Sequence, residues 1–70
     1  MGVARVNGRK MKDIRDRLGW SQEDVAKLAN VSHNTISRLE TGEVTNPRLE
    51  TLSAIAHALG VKVRDILEEE

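Results

Sequence analysis

Two short helical patterns meet in one stretch of the chain, Ser21-Gln-Glu-Asp-Val-Ala-Lys-Leu-Ala29, then Asn30-Val31, then Ser32-His-Asn-Thr-Ile-Ser-Arg-Leu-Glu40. Each pattern opens with a serine, whose side-chain oxygen can accept a hydrogen bond from the free backbone N–H groups of a helix's first turn. Apolar residues flank both serines at the spacing of a hydrophobic staple, Trp20 with Val25 and Val31 with Ile36. Because so short a turn joins them, the two predicted helices cannot lie parallel and are expected to cross at a steep angle.

This crossing is the geometry of a helix-turn-helix, in which the second helix stands clear of the body and can enter a groove of DNA. The residue types suit that geometry. The small side chain of Ala26 lets the two helices approach closely, and Asn30 tolerates a positive φ in the turn. Ile36 and Leu39 are expected to fix the second helix to the body of the domain.

A further helix is predicted before the motif, over Gly8–Leu18. Met11, Ile14 and Leu18 lie on one of its faces, and Gly19 ends it. Residues 1–7 show no helical period. They are expected to form a flexible N-terminal arm, so that the folded domain covers residues 8–70.

The two helices of the motif are predicted over Gln22–Ala29 and His33–Thr41, with Gly42 following the second. Their apolar residues are expected to be buried. These residues are Val25, Ala26, Leu28 and Ala29 in the first helix, and Ile36 and Leu39 in the second.

After the motif, Asn46 is expected to cap a fourth helix, with Pro47 in its first turn. A regular apolar stripe follows and ends at Gly60: Leu49, Leu52, Ile55, Ala56 and Leu59. A last short helix is predicted over about residues 63–68, where it offers Val63, Ile66 and Leu67. The pattern therefore predicts an all-α domain of five helices without a strand.

Composition narrows the possible classes of function. Seventy residues make one domain with a small core, and the absence of cysteine excludes disulfides and cysteine-based zinc sites. Trp20 is the one aromatic residue, which argues against a stacking platform for single-stranded nucleic acid. No apolar run is long enough for a bilayer or a signal peptide, so we expect no membrane partner and a cytoplasmic location.

The net charge is zero, but the charge is unevenly distributed along the chain. Residues 1–17 carry a balance of +4, residues 18–45 a balance of −2, and residues 46–70 a balance of −2 with Glu68-Glu69-Glu70 at the end. This polarity fits a basic region that faces DNA. It equally fits an ordinary solvated surface, and the two interpretations stay open at this point.

Several stretches together resemble the phage Cro and repressor proteins, often called the XRE family. They are Leu18-Gly19-Trp20-Ser21-Gln22, Thr35-Ile36-Ser37-Arg38-Leu39-Glu40-Thr41-Gly42, and Asn46-Pro47-Arg48-Leu49-Glu50-Thr51-Leu52. The resemblance runs from about Lys10 to Leu67 and implies a lambda-repressor-like domain. Two departures stand out: Asn30 replaces the usual glycine of the turn, and Glu43-Val44-Thr45 occupies a loop where many relatives carry lysines, which weakens the expected grip on phosphates.

A helical wheel of the third helix separates a body side from an outer side. Ile36, Leu39 and Glu40 fall on the body side. The candidate base-reading residues lie elsewhere on the helix: His33, Asn34, Ser37, Arg38 and Thr41. Asn34 suits a bidentate contact to adenine and Arg38 one to guanine, although an exposed polar face could also be merely solvated.

The resemblance also implies roles for residues outside the third helix. Gln22, Thr45, Asn46 and Arg48 match positions that contact DNA phosphates. Arg15 and Glu40 match positions that form a partly buried ion pair, and they are interpreted as structural. The basic residues Arg5, Arg9 and Lys10 could reach around DNA or belong to a solvated tail.

Nothing in the sequence favours an enzyme, a metal site or a cofactor. His33 and His57 are the two histidines and lack metal-ligand spacing, and no phosphate-binding glycine loop or nucleophile motif is present.

We therefore expect a sequence-specific regulator of transcription that binds a double-stranded DNA operator, a repressor that occludes a promoter as a homodimer. Candidate dimer residues are Val61, Val63, Ile66 and Leu67, which could equally be core. The alternative is a protein-interaction module on the same fold, an antitoxin or a bridging factor for transcription with a protein partner.

Overall fold

A computed structural model of the chain describes residues 5–68, and this part of the chain is all-helical. Four α-helices are followed by one 3-10 turn: α1 (Gly8–Leu18), α2 (Gln22–Ala29), α3 (His33–Thr41), α4 (Leu49–Leu59) and Val63–Ile66. The bounds of α1, α2 and α3 agree with the sequence prediction. The fifth predicted helix is a single 3-10 turn that ends at Ile66, so the count of five α-helices is corrected to four in this part of the chain.

Local hydrogen bonds explain where α2 and α3 begin and how α2 ends. Ser21 Oγ accepts from the backbone N–H of Asp24 at 3.1 Å, and the Asp24 carboxylate accepts from the Ser21 N–H at 2.8 Å. This reciprocal pair is a capping box. Ser32 Oγ accepts from the N–H of Thr35 at 3.1 Å. Asn30 closes α2 with φ 57° and ψ 44°, the left-handed conformation expected of it.

The core lies between α2, α3 and α4, and α1 covers its side. Its buried apolar residues are Val6, Met11, Val25, Ala26, Ala29, Ile36, Leu39, Leu52, Ile55, Ala56, Leu59 and Ile66. Leu28, expected to be buried, is 60% exposed. Leu18 and Leu49, predicted on the apolar faces of their helices, are 43% and 72% exposed. Leu18 ends α1 and Leu49 begins α4, so both reach beyond the packed region. Leu28 lies about 100° around α2 from the face that Val25, Ala26 and Ala29 bury.

The start of α1 approaches the end of α3 so closely that only glycine fits there. A Cβ atom on Gly8 would fall on the carbonyl oxygen of Leu39 and lie 2.6 Å from that of Glu40. These are backbone atoms, so they cannot move aside as a flexible side chain would. This contact sets the position of α1 against the helix-turn-helix.

The fourth helix begins two residues later than predicted. Its N-cap residue is Arg48, in extended conformation, and no side chain caps it. The predicted cap at Asn46 and the placement of Pro47 in the first turn are therefore wrong. Two backbone hydrogen bonds hold the preceding loop in place: the Val44 N–H donates to the Arg38 carbonyl at 3.2 Å, and the Thr45 carbonyl accepts from the Val6 N–H at 2.8 Å.

The described part of the predicted N-terminal arm packs on the domain. Val6 is buried and forms an isolated antiparallel bridge with Leu67. The Asn7 N–H donates to the Ile66 carbonyl at 2.8 Å, and the Asn7 side chain caps α1. Residues 5–7 are therefore not a flexible arm, because they form backbone hydrogen bonds with the rest of the domain and the Val6 side chain is buried in its core. Residues 1–4 of that arm, and Glu69-Glu70 of the acidic end, lie outside the described residues.

The same region corrects one candidate dimer residue. Ile66 is completely buried within the single chain, so its side chain is core and cannot form a surface. Val61, Val63 and Leu67 are half-buried against that core. Within residues 5–68, no helix has the length and apolar character to cross a membrane.

Candidate nucleic-acid interface

Helix α3 is anchored by one face and presents the other. Ile36 and Leu39 are almost fully buried. The candidate base-reading residues lie away from them: His33, Asn34, Arg38 and Thr41 are exposed and Ser37 is half-buried. The fold therefore places these five residues on one short helix, with the first two in its opening turn.

A chain of polar side chains connects the start of α3 to its end and to α1. Arg15 Nε donates to Glu40 Oε2 at 2.7 Å, and Arg15 Nη2 donates to Glu40 Oε1 at 2.9 Å. Gln22 Nε2 donates to the same Glu40 Oε1 at 3.0 Å. Gln22 Oε1 lies 2.9 Å from His33 Nε2. We call these four residues (Arg15, Glu40, Gln22 and His33) the relay, and they link three helices.

The inner end of the relay is an ion pair withdrawn from solvent. The Arg15 side chain is 11% exposed and that of Glu40 is 4% exposed. Arg15 also donates to the Trp20 carbonyl at 2.7 Å and lies 3.4 Å from the Asp16 carboxylate. The hydrogen bond with Glu40 raises the pKa of Arg15 above its ordinary value, against the opposing effect of desolvation. The pair holds α1 to α3.

Arg38 and Thr41 have different amounts of freedom on the outer face. Arg38 Nε lies 3.6 Å from Glu43 Oε2, and both side chains are more than half exposed. Such a pair is weak and leaves the guanidinium able to turn to another partner. The Thr41 hydroxyl donates to the Arg38 carbonyl at 3.1 Å and accepts from the Glu43 N–H. That hydroxyl is therefore already used within the chain.

The four residues expected at phosphates fall into two groups. Asn46 and Arg48 are exposed and Thr45 is half-buried, in the loop that precedes α4. A surface hollow joins this loop to α3, lined by Thr35, Arg38, Val44, Pro47, Arg48 and Thr51. Gln22 differs, because both ends of its side-chain amide already bond within the relay.

The contact between Gln22 and His33 is the part of the site that the sequence analysis missed. The two residues are eleven apart and lie on different helices. Each was noted separately, Gln22 for a phosphate and His33 for a base edge. The packing of α2 against α3 brings their side chains together, and no local pattern contains that information.

The sequence profile of the helix-turn-helix family matches residues 11–66. The HTH-type transcriptional regulator DdrOP3 of Deinococcus deserti is 39% identical over 84% of this chain and 45% of its own length. The immunity repressor of Bacillus phage phi105 is 38% identical over 90% of this chain and 43% of its own. The candidate antitoxin HigA3 of Mycobacterium tuberculosis is 39% identical over 90% of this chain and 59% of its own. The chain thus spans about half the length of these relatives.

Solved structures give the same result for the fold. SinR, the master regulator of biofilm formation, in complex with DNA superposes with a TM-score of 0.77 at 30% identity, over 81% of this chain and 90% of that one. A SinR–SinI protein complex superposes with a TM-score of 0.82 at 31% identity, over 89% and 60% of the two chains. Relatives of this fold therefore appear both with DNA and with a protein.

Proposed function

The chain belongs to the helix-turn-helix family of Cro and repressor proteins, and from this we propose that it binds a double-stranded DNA operator sequence-specifically and represses transcription. One observation supports the proposal most: the outer face of α3 presents exposed polar side chains of the types that can contact base edges, while Ile36 and Leu39 hold its other face in the core. A bacterial cytoplasmic or nucleoid location follows from that role.

The proposed division of labour on DNA follows from side-chain chemistry. In the major groove, Asn34 forms a bidentate contact with adenine and Arg38 with guanine, while the half-buried Ser37 permits close approach. Thr41 contributes mainly through its methyl group, because its hydroxyl already bonds within the chain. His33 completes the set at the start of α3.

Phosphate contacts fix the register of the domain on the duplex. We assign Arg48 and Asn46, both exposed, to one phosphate strand, with Thr45 beside them. For Gln22, both functional ends of the amide are engaged, so its phosphate contact would use the remaining amide hydrogen and the N–H groups at the start of α2.

A homodimer supplies the specificity that one short helix lacks. One recognition helix reads only a few base pairs, so the operator is expected to contain two half-sites about 34–36 Å apart. Val61, Val63 and Leu67 remain the candidate dimer residues, since Ile66 is core. Repression then follows by occlusion, because the bound dimer denies RNA polymerase the promoter.

Selection of duplexes from a random pool tests this function directly. We expect a consensus with two-fold symmetry, and an affinity for it that falls steeply as salt is added, because bound phosphates release counterions. Arg48→Ala should weaken all sequences alike and reduce the salt slope by about 1. No salt-sensitive binding to any duplex would reject the proposal.

A second function rests on a different surface. A groove between α1 and the 3-10 turn contains the half-buried apolar residues Ile14, Val61 and Leu67 within a charged rim. Antitoxins and bridging factors bind protein partners, and this groove is where such a partner would dock. Tight binding to a purified partner that Leu67→Asp abolishes, in a protein without duplex binding, would favour this function over DNA recognition.

A further inference from the structure

We propose that His33 contacts the operator through Nδ1 as a hydrogen-bond acceptor, and that the base it reads is therefore one with an exocyclic amino group, adenine or cytosine. This inference rests on the proposed DNA-binding function and deepens it. The relay determines which nitrogen of the His33 ring bears the proton.

Arg15 fixes the orientation of the Glu40 carboxylate. Two nitrogens of Arg15 hold its two carboxylate oxygens, at 2.7 and 2.9 Å. An ionised carboxylate accepts hydrogen bonds and donates none. Since the Glu40 side chain is 4% exposed, its orientation is fixed by the protein and little influenced by water.

Glu40 in turn determines the orientation of the Gln22 amide. Glu40 Oε1 lies 3.0 Å from the end of this amide. Only the NH₂ end can donate to a carboxylate, because the carbonyl end would place two acceptors against each other. The relay thus directs Gln22 Oε1 away from Glu40 and towards His33.

The Gln22 amide then determines the tautomer of the His33 imidazole. Gln22 Oε1 is an acceptor, and it lies 2.9 Å from His33 Nε2. In a neutral imidazole one nitrogen is a donor and the other an acceptor, so Nε2 carries the proton and Nδ1 keeps the lone pair. No atom of residues 5–68 is a partner of Nδ1, and His33 is an exposed residue in the first turn of α3.

An acceptor in this place distinguishes two classes of base. In the major groove the amino groups of adenine (N6) and cytosine (N4) donate, whereas guanine O6 and thymine O4 accept. Nδ1 therefore favours adenine or cytosine on the strand it faces. Without the relay, a neutral histidine could present either tautomer and would favour neither class.

The first test needs no DNA. Nitrogen-15 chemical shifts of the His33 ring, measured at about pH 8, report the tautomer of the intact protein. We expect the Nε2–H form to dominate, and we expect Gln22→Met to move the shifts of both nitrogens towards a mixture. An Nδ1–H form in the wild type, or unchanged shifts in Gln22→Met, would overturn the inference.

The second test uses matched variants at His33 on the selected operator. Leucine is about as large as histidine but has no polar atom, so His33→Leu loses the acceptor at Nδ1. Asparagine places its amide near Nδ1, where its carbonyl oxygen can accept. The operator position whose preference is lost in His33→Leu and retained in His33→Asn is the one that His33 reads.

At that position, replacing adenine by guanine or cytosine by thymine exchanges an amino group for a carbonyl. We expect wild-type affinity to fall about threefold to tenfold, the value of one hydrogen bond, and His33→Leu to be insensitive to the exchange. A selected guanine or thymine, or equal losses in both proteins, would refute the contact. If the protein binds no duplex, both the proposed function and this contact are refuted. The tautomer measurement needs no DNA, so its result would remain valid.

Discussion

Two arginine–glutamate pairs involve α3, and their surroundings differ. Arg15 and Glu40 meet at 2.7 Å with side chains 11% and 4% exposed. Arg38 and Glu43 meet at 3.6 Å with side chains 56% and 66% exposed. The chemical groups are the same in both pairs. The buried pair has a second hydrogen bond of its own and two more to the Trp20 carbonyl and the Gln22 amide, while the exposed pair leaves its arginine available to another molecule.

The difference shows how one short helix can serve structure and recognition together. A buried charge that loses its partner is strongly destabilising, so the inner pair must stay complete. An exposed pair contributes little, because water and salt screen it and because ordering two long side chains costs entropy. Burial therefore makes Glu40 part of the scaffold and leaves Arg38 free to serve the proposed contact with DNA.

Removal of each glutamate should produce the largest contrast. Glu40→Ala leaves Arg15 poorly solvated and also removes the acceptor of Gln22, so we expect the free energy of unfolding to fall by about 3 kcal/mol. Glu43→Ala should change it by less than about 0.5 kcal/mol. Urea denaturation followed by circular dichroism measures both values.

A domain of this size has only about 3–5 kcal/mol of total stability. Glu40→Ala should therefore be measured at low temperature, together with the milder variant Glu40→Gln. We expect Glu40→Gln to fall between the wild type and Glu40→Ala, since it keeps the shape and an acceptor. Equal losses for Glu40→Ala and Glu43→Ala would show that burial does not distinguish the pairs.

Gly8→Ala tests the backbone contact that underlies the buried pair. The new Cβ would collide with the Leu39 carbonyl oxygen, so α1 must shift away from α3 and stretch the bonds between Arg15 and Glu40. We expect a loss of about 2 kcal/mol in the free energy of unfolding, although alanine is the better helix former. The exposed neighbour Arg9→Ala is the control, and a stabilising Gly8→Ala would show that the close approach is not required.

Much of the helix-turn-helix could be predicted because its signals are local. Ser21 and Ser32 satisfy backbone groups within three residues of themselves, and Asn30 is a residue type that tolerates the left-handed conformation it adopts. The family resemblance added the pairing of Arg15 with Glu40, which no spacing in the sequence contains. Short-range chemistry thus accounts for α1, α2 and α3 with their observed ends.

The errors lie where distant parts of the chain decide the outcome. Leu28 has a suitable helical spacing, but α2 is too short and too closely packed to bury a second side. Val6 is buried because the chain near Thr45 and Leu67 returns to it. The contact of Gln22 with His33 likewise depends on how α2 and α3 cross. Local periodicity carries no information about such meetings.

Arg38→Ala should separate recognition from stability on the exposed side of the comparison. We expect a loss of about 1–3 kcal/mol in binding to the selected operator, confined to one base pair, with an unchanged urea midpoint. Glu43→Gln should have the opposite effect at low salt, because it removes the carboxylate that competes for Arg38 and repels phosphates. Competition binding across single-base variants of the operator measures both. A stability loss in Arg38→Ala, or a uniform loss across sequences, would contradict the assignment.

The smallest expected effect on stability concerns Asp24. This carboxylate is exposed and still has a structural role, so burial does not by itself separate structural charges from the others. Its hydrogen bonds with the backbone N–H and the side chain of Ser21 lower the pKa of Asp24. A group whose pKa is lower in the folded state stabilises the fold above its unfolded pKa, and this contribution is lost as pH falls through the folded value. Stability should therefore decline below about pH 4.

The slope of that decline should be shallower in Asp24→Asn, which cannot titrate. Asp13→Asn, at an exposed position of α1, is the matched control and should leave more of the slope in place. Urea midpoints between about pH 3 and pH 6 test this. Identical slopes in the wild type and Asp24→Asn would mean that the capping carboxylate contributes nothing, and that exposure alone decides what a charged group is worth in this domain.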